Sequence, residues 1–233
     1  MAEFFKRVEK KYELTTSEYL YVKRKIKEKM IEDEHGKSTI LNIYFDSENY
    51  DLIRHSISKP VYKDKIRLRS YNTPKLDTNV FLEIKRKYEG VVSKRRINIK
   101  LKDFYNFLNL KNEGQVESEL LYYFDLYNLR EKMFLSYDRV AYYMKDDRNF
   151  RLTFDNNIIA RNYDLNLESG VYGDYILDKD KYIMEVKTTG AIPLWFVEIL
   201  NEIEAKPCNF SKYGEAYTKL ILQNRNENKR FVV

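Results

Sequence analysis

Cysteine is almost missing from this chain of 233 residues: there is one, Cys208. No intramolecular disulfide can form, and the composition is that of a reducing compartment, which sets the expectation of a cytosolic protein. Histidine is nearly as scarce. His35 and His55 alone cannot build a His-rich zinc site, so any metal would be held by carboxylates and would be magnesium or manganese. Glycine (7) and proline (4) are few. No Pro/Gly/Ser-rich linker, low-complexity block or fixed-period repeat appears, which points to one domain over residues 1–222 and a polar tail, 223–233. The most apolar stretch, Ala191 to Leu200, is far shorter than a membrane span and carries Glu198. Met1 to Arg7 has no apolar core of a signal peptide. The G-x-S-x-G, P-loop and G-x-G-x-x-G motifs are absent, and Cys208 has no neighbouring histidine. Phosphate binding by a glycine loop and Ser or Cys nucleophilic catalysis are thereby disfavoured.

Charge and tyrosine are abundant. The 42 basic and 36 acidic residues leave a net charge of +6, which suits an anionic partner. A hydrophobic fraction of 43% is enough for a globular core. The 21 tyrosines and the basic balance would also suit RNA or DNA, but no nucleic-acid-binding motif accompanies them, so nucleic acid is not the expected partner.

Period-two alternation recurs along the chain. In Arg7 to Glu13 every odd position is charged, and Leu41 to Asp46 places apolar side chains at alternate positions. Lys65, Arg67 and Arg69 share one face of a run whose other face holds Ile66 and Leu68. Glu83, Lys85 and Lys87 share a face of Phe81 to Lys87; Phe150 to Asp155 and Tyr182 to Lys187 alternate likewise. Helical patterns stand between these runs: Ser17 to Met30 behind a Thr16/Ser17 cap, Asp103 to Leu108, Gln115 to Leu126, Pro193 to Ala205, and Ser211 to Leu222. Strands and helices mix without regular βα alternation, which predicts an α+β fold with a mainly antiparallel sheet.

Same-face residues on a strand lie roughly 7 Å apart, so Lys65, Arg67 and Arg69 form a ladder of cations suited to a linear polyanion. An open sheet with one wet face and a closed barrel with a charged lumen use the same pattern, and alternation does not separate them. Glu-x-Lys occurs inside three of the runs, at Glu9/Lys11, Glu83/Lys85 and Glu185/Lys187, and again in the tail at Glu227/Lys229. Chance supplies about 2.4 such pairs at this composition, so by pattern alone cross-strand salt bridging accounts for them.

In order, Arg7-Val8-Glu9-Lys10-Lys11-Tyr12, Tyr44-Phe45-Asp46, Lys65 to Tyr71, Phe81 to Lys87, Lys94-Arg95-Arg96, Tyr137 to Tyr142, Arg151 to Asp155, Met184-Glu185-Val186-Lys187 and Ser211-Lys212-Tyr213 resemble the VTC domain. This is the catalytic domain of the vacuolar transporter chaperone polyphosphate polymerase, within the triphosphate tunnel metalloenzyme (CYTH-like) superfamily. The resemblance covers roughly residues 5 to 222. It implies a closed antiparallel eight-stranded tunnel with helices outside, and transfer of the γ-phosphate of ATP onto a growing inorganic polyphosphate chain with Mn2+ or Mg2+. It also implies that Lys11, Arg67, Arg69, Lys85, Arg139 and Arg151 act at the reacting phosphates, with Lys65, Lys94, Lys187 and Lys212 binding substrate. Glu185 would be the principal metal ligand, and Glu9 and Glu83 would help hold metal or orient the cations. Hydrolytic tunnel enzymes usually open with Glu-x-Glu-x-Lys. Here Arg7 stands at the first glutamate's place, which fits a polymerase better than a triphosphate hydrolase on the same fold. A polyphosphate-binding module without turnover is a further alternative. With no membrane segment expected, any coupling to translocation would need a separate membrane partner.

Overall fold

A computed structural model describes residues 8–34, 36–89, 91–109 and 114–223. The positions of Arg7 and His35, and the expected tail beyond residue 223, lie outside them. The described strands are β1 (Val8–Thr15), β2 (Met30–Glu32), β3 (Ser38–Asp46), β4 (Tyr62–Tyr71), β5 (Asn79–Tyr88), β6 (Val91–Lys100), β7 (Arg130–Met144), β8 (Arg151–Arg161), β9 (Asp174–Tyr175), β10 (Lys181–Thr188) and β11 (Pro207–Cys208). The helices are α1 (Thr16–Ile26), α2 (Asp51–Ile57), α3 (Leu101–Phe104), α4 (Gln115–Leu126), α5 (Leu194–Glu202) and α6 (Lys212–Tyr217). The α+β expectation holds. The β1–β10, β10–β8, β3–β4, β4–β5 and β5–β6 ladders are all antiparallel.

The strands form one 11-stranded sheet with the path β11-β1-β10-β8-β7-β3-β4-β5-β6; β2 also pairs with β7, and β9 with β8. The path has two ends, and among the described residues β11 and β6 do not pair with each other. The expected closed eight-stranded tunnel is thus corrected to a larger sheet that hydrogen bonding leaves open. The reason lies at the edges. β11 has two residues and begins with Pro207, which has no N–H to donate. β6 is largely exposed and carries Lys94, Arg95, Arg96 and Lys100, residues that protect a sheet edge from further pairing. No described helix is long and apolar enough to cross a membrane.

The chain divides into two compact units. The first comprises Met1–Thr39, Tyr137–Ile158 and Leu177–Phe210. Its strands bury Tyr12, Leu14, Leu152, Phe154, Met184 and Val186 against Val22 and Ile26 of α1 and Phe196, Ile199 and Leu200 of α5. Glu9, Lys11, Arg151, Thr153, Asp155, Glu185 and Lys187 alternate with these residues and so occupy the opposite face. The second unit, Ile40–Ser136, Ile159–Ile176 and Ser211–Val233, repeats the division. Ile43, Phe45, Ile66, Leu68, Leu82 and Ile84 pack on α3 and α4 through Leu101, Phe104, Leu120 and Phe124. Arg67, Arg69, Glu83, Lys85 and Lys94 take the other face.

Local chemistry explains most boundaries. α4 spans the residues that the sequence predicts. α1 starts one turn position earlier than expected: Thr15 is the cap, and Glu18 reaches back to the Thr15 amide in a capping box. The helix stops at Ile26, and Met30 joins β2 opposite Met144 instead of extending the apolar stripe. The helix expected over Asp103 to Leu108 is instead the short α3, which begins at Leu101 and ends at Phe104, and a separate turn of 3-10 helix, Phe107–Asn109. Pro193 caps α5 rather than lying inside it. α6 starts at the expected Ser211 cap, then loosens into a π turn, Thr218–Gln223.

α2 is not foreseen by the sequence. Its start, Tyr50, is left-handed (φ 60°) and supplies no side-chain cap. The buried Asp46 carboxylate takes that role, accepting from the amides of Ser47, Leu52 and Ile53 and from the Tyr213 hydroxyl. Asp46→Ala strands those donors in the interior and is expected to cost about 3 kcal/mol. At about 2–4 °C per kcal/mol for a chain of this size, thermal unfolding should move down by roughly 6–12 °C, with Asp46→Asn recovering part of the loss.

Candidate functional site

The charged face of the first unit is organised in cross-strand rows. Lys11, Glu185 and Thr153 are directly opposite one another on β1, β10 and β8, and the next row holds Glu9, Lys187 and Arg151. Signs therefore alternate along and between β1 and β10, while β8 adds the neutral Thr153 to one row and a second cation, Arg151, to the other. Lys11 Nζ lies 3.7 Å from Glu9 Oε1, and Lys187 Nζ lies 3.5 Å from Glu185 Oε1. Lys11 Nζ also donates to the Phe210 carbonyl at 2.9 Å. From β7, Arg139 forks onto Asp155 through Nε (2.6 Å) and Nη2 (2.7 Å), and its Nη2 stands 3.6 Å from Glu185 Oε2.

Glu185 is the buried centre of this cluster. Burial alone would raise its carboxyl pKa; Lys187, the adjacent Glu9 side chain, Arg139 and Lys11 overturn that and hold it well below the usual range. It is therefore a carboxylate. Burial also opposes the Arg139 charge, which Asp155, Tyr137 and Glu185 more than restore. Arg151 is the outlying member. Its guanidinium reaches Asp33 at 2.8 Å, away from Glu185.

In the second unit the anchor is Glu83, 1% exposed on β5. Its Oε2 accepts from Arg67 Nε at 2.8 Å and meets Arg67 Nη2 at 2.7 Å and Arg69 Nε at 3.9 Å, while Lys94 Nζ sits 2.5 Å from Oε1. Burial would raise the Glu83 pKa, but Arg67, Arg69 and Lys94 bring it down to about 2. Lys94 is itself lowered, chiefly by burial and by the two arginines. The strand β3 steadies the guanidiniums: Arg67 Nη1 donates to the Tyr44 hydroxyl at 3.1 Å, and Arg69 Nε to Asn42 Oδ1 at 3.1 Å. Tyr44 stacks on Tyr213 with ring centroids 4.5 Å apart. The residues before Tyr213 carry the other expected cation, Lys212, and Ser211, whose Oγ accepts from Lys65 Nζ at 2.8 Å. Lys65, Lys85 and Lys94 stand opposite one another across β4, β5 and β6.

The expected residues thus fall into two clusters. Glu9, Lys11, Arg139, Glu185 and Lys187 come together in the first unit, with Arg151 at their margin. Lys65, Arg67, Arg69, Glu83, Lys85 and Lys94 come together in the second. Of the two roles open to Glu83, orienting cations is the one its ion pairs support. Among the described residues no three His, Cys, Asp or Glu side chains are grouped to hold a metal. Two carboxylates completed by substrate phosphates is the usual arrangement for Mg2+ or Mn2+, and Glu185 with Glu9 fits it. One further observation agrees: the buried Thr153 hydroxyl, in the same row as Glu185, has no hydrogen-bond partner. Asn42, Tyr44, Thr153 and Asp155 are site residues that sequence reasoning did not single out. Their signal was present, since each occupies the polar phase of an alternating strand.

A family model for the VTC domain matches residues 6–221. The chain belongs to the VTC domain family. No curated protein matches it. Among solved structures, this VTC domain is similar to a candidate adenylate cyclase from Bacillus halodurans, with 15% identity, 88% of this chain and 95% of that chain covered, and a TM-score of 0.54. It is also similar to a candidate adenylyl cyclase from Hippeastrum described as having a dominant triphosphatase activity, with 16% identity, 91% and 95% covered, and a TM-score of 0.52. At such identities the likeness is one of fold.

The Glu83 anchor gives the VTC domain a defined acid response. Because its folded pKa is about 2 against an ordinary 4.5, its stabilisation is complete above pH 4.5 and is lost as pH falls towards 2. Glu83→Gln should cost about 3 kcal/mol at neutral pH, by leaving three cations without their counter-ion. Denaturant titrations from pH 6 to pH 2 should show a shallower loss of stability in this variant than in the wild type.

Proposed function

We infer that this VTC domain is a polyphosphate polymerase that transfers the γ-phosphate of ATP onto a growing inorganic polyphosphate chain, with Mg2+ or Mn2+. The observation that carries the reading is the Glu185 cluster: an ionised, buried carboxylate set among Lys11, Arg139 and Lys187, with the orphaned Thr153 hydroxyl in its row. Such a centre suits a multiply charged anion that arrives with its own metal. Membership of the VTC family supports the polymer as product.

The transfer is balanced without a protein nucleophile. A terminal oxygen of the polyphosphate forms the new P–O bond to the γ-phosphorus, and the bond to the β–γ bridging oxygen breaks with its electron pair leaving on ADP. The attacking phosphate oxygen is already ionised, so no side chain need remove a proton. Glu185 and Glu9 would hold the divalent ion, which when bound neutralises charge on the triphosphate. Arg139 and Lys11 would sit against equatorial phosphate oxygens, kept in place by Asp155 and by the Phe210 carbonyl. Lys187 would balance Glu185, and Arg151 would meet phosphate at the margin. In the second unit Arg67, Arg69, Lys94, Lys65, Lys85 and Lys212 would hold phosphate oxygens, their positions set by Glu83, Tyr44, Asn42 and Ser211. No water-positioning acid or base is needed, because the acceptor is itself a phosphate.

A triphosphate hydrolase is the second reading, favoured by the activity described for the Hippeastrum structure. Product analysis decides between them. Incubation with ATP and manganese, with and without a short polyphosphate primer, is expected to release ADP and build polymer. Orthophosphate without polymer would establish the hydrolase. Binding of polyphosphate that survives chelator, with no turnover in either assay, would leave a binding module. Glu185→Gln should lower turnover at least about 100-fold while the domain stays folded.

A further inference from the structure

We propose that the cationic face of the second unit continues beyond the residues assigned above, into a subsite of Lys63 and Lys87 that takes the distal phosphates of a chain longer than a triphosphate. The inference rests on the polyphosphate reading and extends it by naming where the polymer, as distinct from ATP, is held.

The argument starts from the β4–β5 register. Lys63 stands directly opposite Lys87, and the neighbouring same-face row places Lys65 opposite Lys85. Like charges directly opposed on antiparallel strands are destabilising, and here two such rows follow in succession. On the reverse face the same strands do the opposite. Asp64 faces Arg86, and Arg86 is further neutralised by Glu119 of α4 and donates to the Tyr123 hydroxyl. The sheet thus compensates its charge on the face packed against α3 and α4, and accumulates positive charge in the lysine rows of the other face, where the Ser56 carbonyl of α2 and the Ser211 hydroxyl that caps α6 accept from Lys63 and Lys65.

In the row containing Arg67 the opposed residue is Glu83, so the protein supplies its own counter-ion there. In the Lys63 row it does not. Among the described residues no acid forms an ion pair with Lys59, Lys63 or Lys87. Lys63 is half-buried, and among the described residues its ammonium reaches only the Ser56 carbonyl, at 3.4 Å. Burial and the nearby charges of Lys87 and Lys59 disfavour its protonated form, a cost that a bound anion would remove. Lys63 lies four residues from Arg67 on the same face, roughly 13 Å along the strand. That exceeds the length of a triphosphate, so this row serves a longer polyanion.

The test measures binding without ATP and with chelator present, comparing tripolyphosphate with a polyphosphate of several tens of units. The Lys63→Gln/Lys87→Gln double variant is expected to lose about tenfold in affinity for the long chain, while its tripolyphosphate affinity moves by less than about twofold. Lys63→Arg/Lys87→Arg should keep the wild-type affinity for both. A charge-matched control, Lys27→Gln/Lys29→Gln on the first unit, should leave the long-chain affinity within about twofold. A long-chain loss no larger than the control's, or equal losses for both ligands, would overturn the subsite. The polymerase reading fails separately: an absence of polymer from ATP with the long-chain selectivity intact removes synthesis and leaves the subsite standing.

Discussion

Burying a carboxylate inside a cationic sheet face is the constraint on which the rest of this structure depends. A buried acid without partners would take up a proton, and a row of arginines and lysines without an acid bears the cost of its own repulsion. Glu83 and Glu185 resolve both problems at once. Each is desolvated, and each is kept ionised by the cations it gathers. The guanidinium and ammonium groups are thereby held at defined positions before any ligand arrives, which is the condition for electrostatic stabilisation without reorganisation.

The rest of the fold supplies the asymmetry that this arrangement needs. Helices α1 and α5 cover the apolar face in the first unit, and α3 and α4 do so in the second. Only one face of each set of strands is left to carry charge. The charged residues are then rigid for the same reason that the core is: a side chain on a strand cannot leave its face without moving its neighbours into the wrong environment. Tyr44 shows the coupling. Its strand packs Ile43 and Phe45 into the core, while its hydroxyl meets Arg67 and its ring lies on Tyr213.

Such a surface also explains how phosphoryl chemistry can proceed in a chain with one cysteine, two histidines and no nucleophile motif. Transfer between phosphates asks for alignment and neutralisation of charge more than for proton removal. The protein's investment accordingly lies in cations and their anchors.

Much of this was legible in the sequence. Alternation marked the strands and assigned Arg67, Arg69, Glu83, Lys85, Glu185 and Lys187 to polar faces, because side-chain direction on a strand follows from local geometry alone. Gln115–Leu126 could be read as a helix for a similar reason. What depended on partners distant in the chain could not be read. α2 is capped by Asp46 and, through it, tied to Tyr213; β2 departs from the α1 pattern because Met144 is there to pair with. The ordered motifs implied a closed tunnel of eight strands, whereas the edges at Pro207 and β6 leave an 11-stranded sheet open. Whether Glu83 would meet a metal or three cations was likewise open until register brought Arg67, Arg69 and Lys94 to it. By itself, then, the sequence determined which residues are charged and which way each points, since these are local properties. Tertiary structure alone decided which charges face one another, because register and strand order are set by contacts that the chain makes only once folded.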